Sequence, residues 1–304
     1  MADRWRDPEF VAAAHAWIEG RLADLGMTRT GDIEQPHVFA WSTVMRAPTD
    51  RGDIWFKANT EDLRHEAAIV DILAVRAPEL VPPLLAHDRD TGWMLMSDAG
   101  ETLRKVVERE QSLDRWLDVL PRYAALQLEH ADRVDDFLAA GVPDMRLATL
   151  PGKYDRLLRG LDVEQRFRDA TPYVEELCER LASYGIPETI QHDDLHDAQV
   201  FVRDGRHLVM DWGDACVTHP FLTLSVTLEG VIAWGVDDVE GSVDVAPYRD
   251  AYLAPFTQQY DGDLVPAVDA ALRLGWVCRT VNGFLPGDAR GLSTRLRMFL
   301  DGRA

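Results

Sequence analysis

The sequence predicts a mixed α+β, bilobal fold, with a small N-terminal lobe built on a sheet and a larger helical C-terminal lobe. Three observations predict it. A chain of 304 residues exceeds the usual extent of one compact core. Runs rich in β-branched and aromatic residues gather in the first hundred positions, whereas helical periodicity prevails from about residue 101 onward. Sheet first and helices afterwards, enclosing one small hairpin, differs from the strand–helix alternation of a doubly wound sheet. We expect residues 1–97 to form the first lobe and 98–304 the second, with the hinge near Ser97 to Gly100 and a cleft between them.

Each element follows from local pattern. Residues 8–25 place Phe10, Val11, Ala14, Trp17, Ile18 and Leu22 at helical spacing, with Pro8 suited to the first turn and Gly26 to a stop. HVFAWSTVMRAP and DIWFKAN read as a hairpin around TDRG that ends on Lys57. EDLRHEAAIVDILAVRAP carries a stripe of Leu63, Ala67, Val70 and Leu73 and stops before Pro78, a helix bearing Glu66. PPLLAHD and GWMLMSDAG form a second strand pair around Asp88 to Gly92. Beyond them, RWLDVLPRYAALQLEHADRV and TPYVEELCERLASYG are long helical patterns. QVFVR and HLVMDW flank the turn DGR, and helical periodicity resumes after residue 220.

Composition narrows the function. With 46% hydrophobic and 28% charged residues the chain reads as an ordinary globular protein. Its formal charge of −20 repels phosphate backbones and argues against a nucleic-acid partner, while it would welcome a cationic one. Neither a signal peptide nor a membrane span is visible, and Cys178, Cys216 and Cys278, odd in number and scattered, suggest neither a disulfide framework nor a CxxC metal site. A cytoplasmic location is expected.

The chemistry is concentrated in HDDLHDAQVFVRDGRHLVMDWGDA, residues 192–215. Phosphoryl transfer needs a carboxylate to orient a hydroxyl and accept its proton, and magnesium, which favours oxygen donors, to neutralise the phosphates. In kinase-like enzymes the base aspartate stands five residues before an amide metal ligand, and a second metal-binding aspartate follows a short hairpin. Asp194 and Gln199 have that spacing, and Asp211 has that position. Asp193 would pair instead with Ala198, which offers no ligand.

At these residues a resemblance becomes explicit. HDDLHDAQVF is similar to the H-G-D-L-H-x-x-N loop of the aminoglycoside phosphotransferase and choline kinase superfamily, and MDWGDA to its I-D-W/F-G/E-x-A. The sequence departs from that pattern in having Asp193 where glycine is common, and Gln199 where asparagine is, the latter resembling bacterial maltokinases and glucosamine kinases. The resemblance implies a protein-kinase-like fold, ATP and Mg2+ as cofactors, and a small-molecule acceptor phosphorylated on a hydroxyl. It implies Asp194 as catalytic base, Gln199 and Asp211 as metal ligands, and Lys57 held by Glu66 on the nucleotide phosphates. It also places the adenine against the backbone from Met96 to Asp98. His192 and His196 read as loop braces.

No GxGxxG or Walker sequence precedes these residues, and only Gly31 stands near the first strands. Asp214, Glu229, Trp234, Asp237, Asp238, Asp261 and Asp263 are candidates for an acceptor site, where carboxylates would bind ammonium groups. An aminoglycoside or amino sugar is the acceptor this favours. Choline, homoserine or a neutral sugar, and a catalytically silent nucleotide-binding module, remain open. The absence of a DFG and APE pair argues against a protein kinase.

Overall fold

The structure, a computed structural model, describes residues 2–302. The chain divides into two compact units, Met1–Gly100 with Val202–Gly213, and Glu101–Phe201 with Asp214–Ala304. A mixed α+β composition holds, with the sheet in the first unit and most helices in the second.

In the first unit, helix α1 (Pro8–Asp24) begins where the Asp7 carboxylate accepts the Glu9 N–H at 2.8 Å. Its Ala14, Ile18 and Leu22 are buried against Met45, Ile54 and Phe56 of the sheet. That sheet has the order β1 (Glu34–Val38), β2 (Ser42–Thr49), β3 (Gly52–Asn59), β5 (Met94–Ser97), β4 (Leu84–His87), with every adjacent pair antiparallel. The run expected as one strand from His37 to Pro48 is therefore two, interrupted at residues 39–41, where Phe39 and Trp41 stack on each other in the open. Lys57 lies in the central strand β3, opposite Val44 and Met94.

Helix α2 (Glu66–Ala74) starts later than its pattern suggests, because a 3-10 turn occupies Glu61–Leu63. Glu66 is consequently its first residue. The Asp88 carboxylate closes the β4–β5 turn by accepting the N–H groups of Asp90 and Thr91.

The second unit carries the short strand β6 (Glu101–Thr102), then α3 (Leu103–Glu110), α4 (Arg115–Glu129), α5 (Val134–Ala139), α6 (Leu150–Arg159), α7 (Gln165–Arg168) and α8 (Thr171–Ala182). Strand β7 (Thr189–Gln191) leads to the acidic loop. The hairpin of β8 (Val200–Arg203) and β9 (Arg206–Val209), which belongs to the first unit from Val202 onward, turns at Asp204 and Gly205, both at positive φ, as a tight two-residue connection requires. Strand β10 (Cys216–Thr218) then pairs antiparallel with β7, Gln191 opposite Cys216. The chain ends in α9 (Ala246–Thr257), α10 (Val265–Asn282) and α11 (Ala289–Asp301).

Between β10 and α9 the helical periodicity yields 3-10 turns and a π turn at Ser225–Glu229 rather than an α-helix. Side chains compete there with the backbone ladder: Ser225 Oγ donates to Leu222 O at 2.6 Å and Thr227 Oγ1 to Leu195 O at 2.8 Å. Helix α10 packs closely on this segment through Gly275, where a Cβ would lie 2.3 Å from Leu222 O. Phe221, Tyr252 and Phe256 pack edge-on or tilted in the adjoining core, each ring contributing roughly 1.5–3 kcal/mol by burial. Among the described residues, no helix is long and apolar enough to cross a membrane.

Candidate active site

Two groups of polar residues stand out, one in each unit. In the first unit, Lys57 Nζ lies 2.7 Å from Glu66 Oε2 and 2.5 Å from Asp211 Oδ1. Asp211 follows β9, and the segment around it is clamped to the start of α2. Trp212 N–H donates to Glu66 Oε1 at 3.1 Å, and His65 Nε2 meets Gly213 O at 2.9 Å. Asn59 Nδ2 donates to the other Glu66 oxygen at 2.6 Å. Burial alone would lower the pKa of Lys57, but the charges of Asp211 and Glu66 outweigh it and hold the ammonium above its ordinary value. Burial raises Glu66, opposed chiefly by Lys57. Lys57 thus stays cationic between two carboxylates. Asp211 has a left-handed backbone, φ 61°, a conformation aspartate tolerates better than most residues. Its side chain is 46% exposed, so it retains oxygen surface for a cation.

Met96 is buried on β5, in register with Trp55 and Leu84. Asp98 just beyond it is braced: its carboxylate accepts Trp55 Nε1 at 3.0 Å and its carbonyl accepts Arg203 Nη1. Thr43, a polar strand position, is used structurally, donating to His37 O and accepting from Gln35 Nε2, both at 2.9 Å.

In the second unit, the loop 192–199 leaves β7 and separates the two adjacent aspartates. Asp193 has φ 63°, which explains why a glycine suits this position, and its side chain is only 2% exposed. Gln191 Nε2 donates to one of its oxygens at 2.8 Å and Asn282 Nδ2 to the other at 2.9 Å. Burial, reinforced by the charge of Asp214 and opposed by Arg279 and the two amides, pushes its carboxyl up to about 6. The Asp194 side chain is 23% exposed and lines a cavity of about 520 Å³. Burial would raise it too, but His196 beside it and the charge of Arg279 reverse that and hold it below the usual carboxylate range. Asp194 is therefore ionised at neutral pH.

His192 is fully buried; its N–H donates to Tyr123 Oη at 2.9 Å and its Nδ1 accepts the Asp194 N–H at 3.3 Å. The Nδ1 of His196 accepts the Ala198 N–H at 3.1 Å, which leaves Nε2 to carry a proton toward Asp194 Oδ2, 3.6 Å away. Arg104 holds Asp197 at 2.7 Å. Gln199 closes the loop, its N–H donating to His196 O at 2.9 Å.

Sequence reasoning missed Arg279. From α10 its guanidinium reaches Asp214 at 2.8 Å, Asp194 at 3.0 Å and Asp193 at 3.7 Å. Burial would lower its pKa, but the three carboxylates together raise it. Asn282, one turn further along α10, joins Asp193 to the Asp214 carbonyl. No local pattern pointed to it, because the burial of its neighbours Cys278 and Thr280 is itself a product of packing. Cysteines scattered in sequence also converge, with Cys216 and Cys278 sulfurs 3.7 Å apart beside Asp193 and the Gln191 amide donating toward both.

None of the seven acceptor-site candidates lines the cavity at Asp194. Asp214 is engaged by Arg279, Glu229 Oε2 accepts Trp276 Nε1 at 2.6 Å, Trp234 Nε1 donates to the Glu229 carbonyl, and Asp263 accepts the Val265 N–H ahead of α10. Asp237, Asp238 and Asp261 are simply exposed.

No curated protein matches the sequence. Among solved structures, a macrolide 2'-phosphotransferase type I is similar at 14% identity and TM-score 0.59, covering 94% of this chain and 97% of that one. An ethanolamine kinase from Plasmodium vivax is 12% identical at TM-score 0.64, with coverage of 93% and 88%. A choline kinase from Streptococcus pneumoniae is 13% identical at TM-score 0.61, with coverage of 95% and 98%. At such identities these establish a shared fold. The model of the phosphotransferase enzyme family matches residues 46–264, which include Lys57, Asp194 and Asp211 but neither Arg279 nor α11. With more than half its length matched, the chain belongs to the phosphotransferase enzyme family and is a small-molecule kinase with an alcohol group as acceptor.

Proposed function

We propose that this kinase transfers the γ-phosphate of ATP, in the cytoplasm, to a hydroxyl of a small polar metabolite, a class in which amino sugars and aminoglycosides are candidates. One observation carries the reading: of two adjacent aspartates, Asp193 is sealed between two amides, while Asp194 is ionised and opens on a cavity. Asp194 orients the acceptor hydroxyl and takes its proton as the new O–P bond forms and the bond to the ADP leaving oxygen breaks. His196 and Arg279 fix the carboxylate and keep it charged.

Lys57, anchored by Glu66, binds the nucleotide phosphates, and the adenine lies against the backbone of Met96 to Asp98. Asp211 and Gln199 hold magnesium. A carboxylate with exposed oxygen surface and an amide carbonyl are hard donors that suit this ion. When bound, magnesium neutralises charge on the phosphates. Choline, homoserine and neutral sugars are alternative acceptors, distinguished by a panel of hydroxylated compounds with coupled ADP detection.

Replacing Asp194 with alanine tests the central role. Turnover should fall by roughly 10²–10⁴ while calorimetric ATP affinity stays near that of the wild type. Retained turnover would refute Asp194 as the base, and loss of ATP binding would reassign it.

A further inference from the structure

The cavity beside Asp194 is lined by second-unit residues, and its charges are unevenly balanced. Of its four arginines, Arg104 is neutralised by Asp197, and Arg279 by Asp194 and Asp214. Asp288, the other acid in the lining, accepts the Gly291 N–H at 2.9 Å as the cap of α11. Arg290 and Arg295, both on α11, form no ion pair among the described residues.

Arg295 is the more constrained of the two. It is partly buried, and its Nη1 donates to the Gly283 carbonyl at 2.7 Å, which satisfies a hydrogen bond without neutralising the charge. Burial, then the like charge of Arg279, lowers its pKa, and the charges of Asp288, Asp193 and Asp194 offset this only in part. A cation kept partly desolvated beside another cation gains from any anion that enters. Guanidinium groups also match carboxylate and phosphate geometry better than an ammonium does. In a chain of formal charge −20, this concentrates positive charge where an acceptor would approach Asp194.

We propose that the acceptor carries an oxyanionic group, a carboxylate or a phosphate, seated by Arg295 and Arg290 while its hydroxyl lies at Asp194. The inference rests on the reading of Asp194 as the base. It narrows the polar metabolites to anionic ones, such as sugar acids or hydroxy acids, since a polycationic aminoglycoside would meet guanidinium charge at that wall. A volume of about 520 Å³ suits a ligand of that size.

The test is a coupled ADP-release assay on the full chain with magnesium and ATP. Acceptors are matched by shape and differ in charge: glucuronate and glucose 6-phosphate against glucose, glucosamine and kanamycin, and glycerate against glycerol. Expected is turnover above the Asp194→Ala background with the anionic members alone, and the better of carboxylate or phosphate identifies the oxyanion. In Arg295→Leu, and in the exposed Arg290→Leu should the first fail to fold, acceptor KM should rise roughly 10- to 100-fold with kcat and the KM for ATP little changed.

Equal or better turnover of neutral or cationic members overturns the proposal and leaves the kinase reading standing. An unchanged acceptor KM in both variants overturns it as well. A rise in the KM for ATP instead assigns these arginines to the nucleotide and also overturns it. ADP release from no member, with no calorimetric binding of glucuronate or glucose 6-phosphate, removes both the proposal and its basis.

Discussion

Replacing Arg279 with methionine should produce a stability deficit that grows with pH. The substitution keeps most of the apolar volume of the side chain and removes the guanidinium charge that faces Asp214, Asp194 and Asp193 at 2.8, 3.0 and 3.7 Å. Breaking a buried ion pair by deleting one partner costs roughly 3–5 kcal/mol. Asp193 makes that cost depend on pH. Its carboxyl is raised by burial from an ordinary 3.8 to about 6, so the stability it contributes is complete below its unfolded value and is lost as pH rises through about 6. At 1.36 kcal/mol per unit, that loss is about 3 kcal/mol in the wild type.

Without Arg279, which opposes the shift, Asp193 keeps its proton to higher pH and the loss extends upward, with a limiting slope of about 1.4 kcal/mol per pH unit. Urea unfolding of both proteins between about pH 5 and about pH 8 measures this. The deficit should be smallest at the acid end and reach several kcal/mol at the alkaline end. A deficit under about 1 kcal/mol that does not vary with pH would mean that Arg279 is screened like a surface charge, and the account of the buried cluster would be wrong.

Two further predictions concern the nucleotide side. Lys57→Met leaves Glu66 buried without its counter-charge, so the variant should lose about 3 kcal/mol in urea unfolding. Its kcat/KM for ATP should fall at least roughly 100-fold, and near-normal catalysis would detach Lys57 from the phosphates. Gln199→Leu, which removes an oxygen donor from the loop, should raise the magnesium concentration for half-maximal rate roughly 10-fold, with Gln199→Asn closer to wild type. Identical magnesium curves for all three proteins would exclude Gln199 as a ligand.

Much of the architecture was legible from neighbouring residues. Pro8 and Gly26 bound α1, Asp204 and Gly205 form the β8–β9 turn, and the stripe through Ala67, Val70 and Leu73 marks α2. Such signals depend on backbone preferences and on contacts a few residues apart. The signal failed where local interactions competed. Phe39 to Trp41 carry strong β preference yet break the strand, and the segment after Pro220 has helical periodicity yet bends its ladder through Ser225 and Thr227.

By itself the sequence determined the α+β class, the kinase family and the types of group available for chemistry, because loop spacing and residue type are covalent facts. Tertiary structure alone decided the environments those groups occupy. Asp193 and Asp194 are chemically identical neighbours; Gln191 and Asn282 seal the first, His196 and the cavity face the second, and Arg279 of α10 reaches both. The cationic wall of the cavity likewise arises from α11, far along the chain from the loop it faces. Charge and burial at a site are sums over residues that packing brings together, so no local pattern records them.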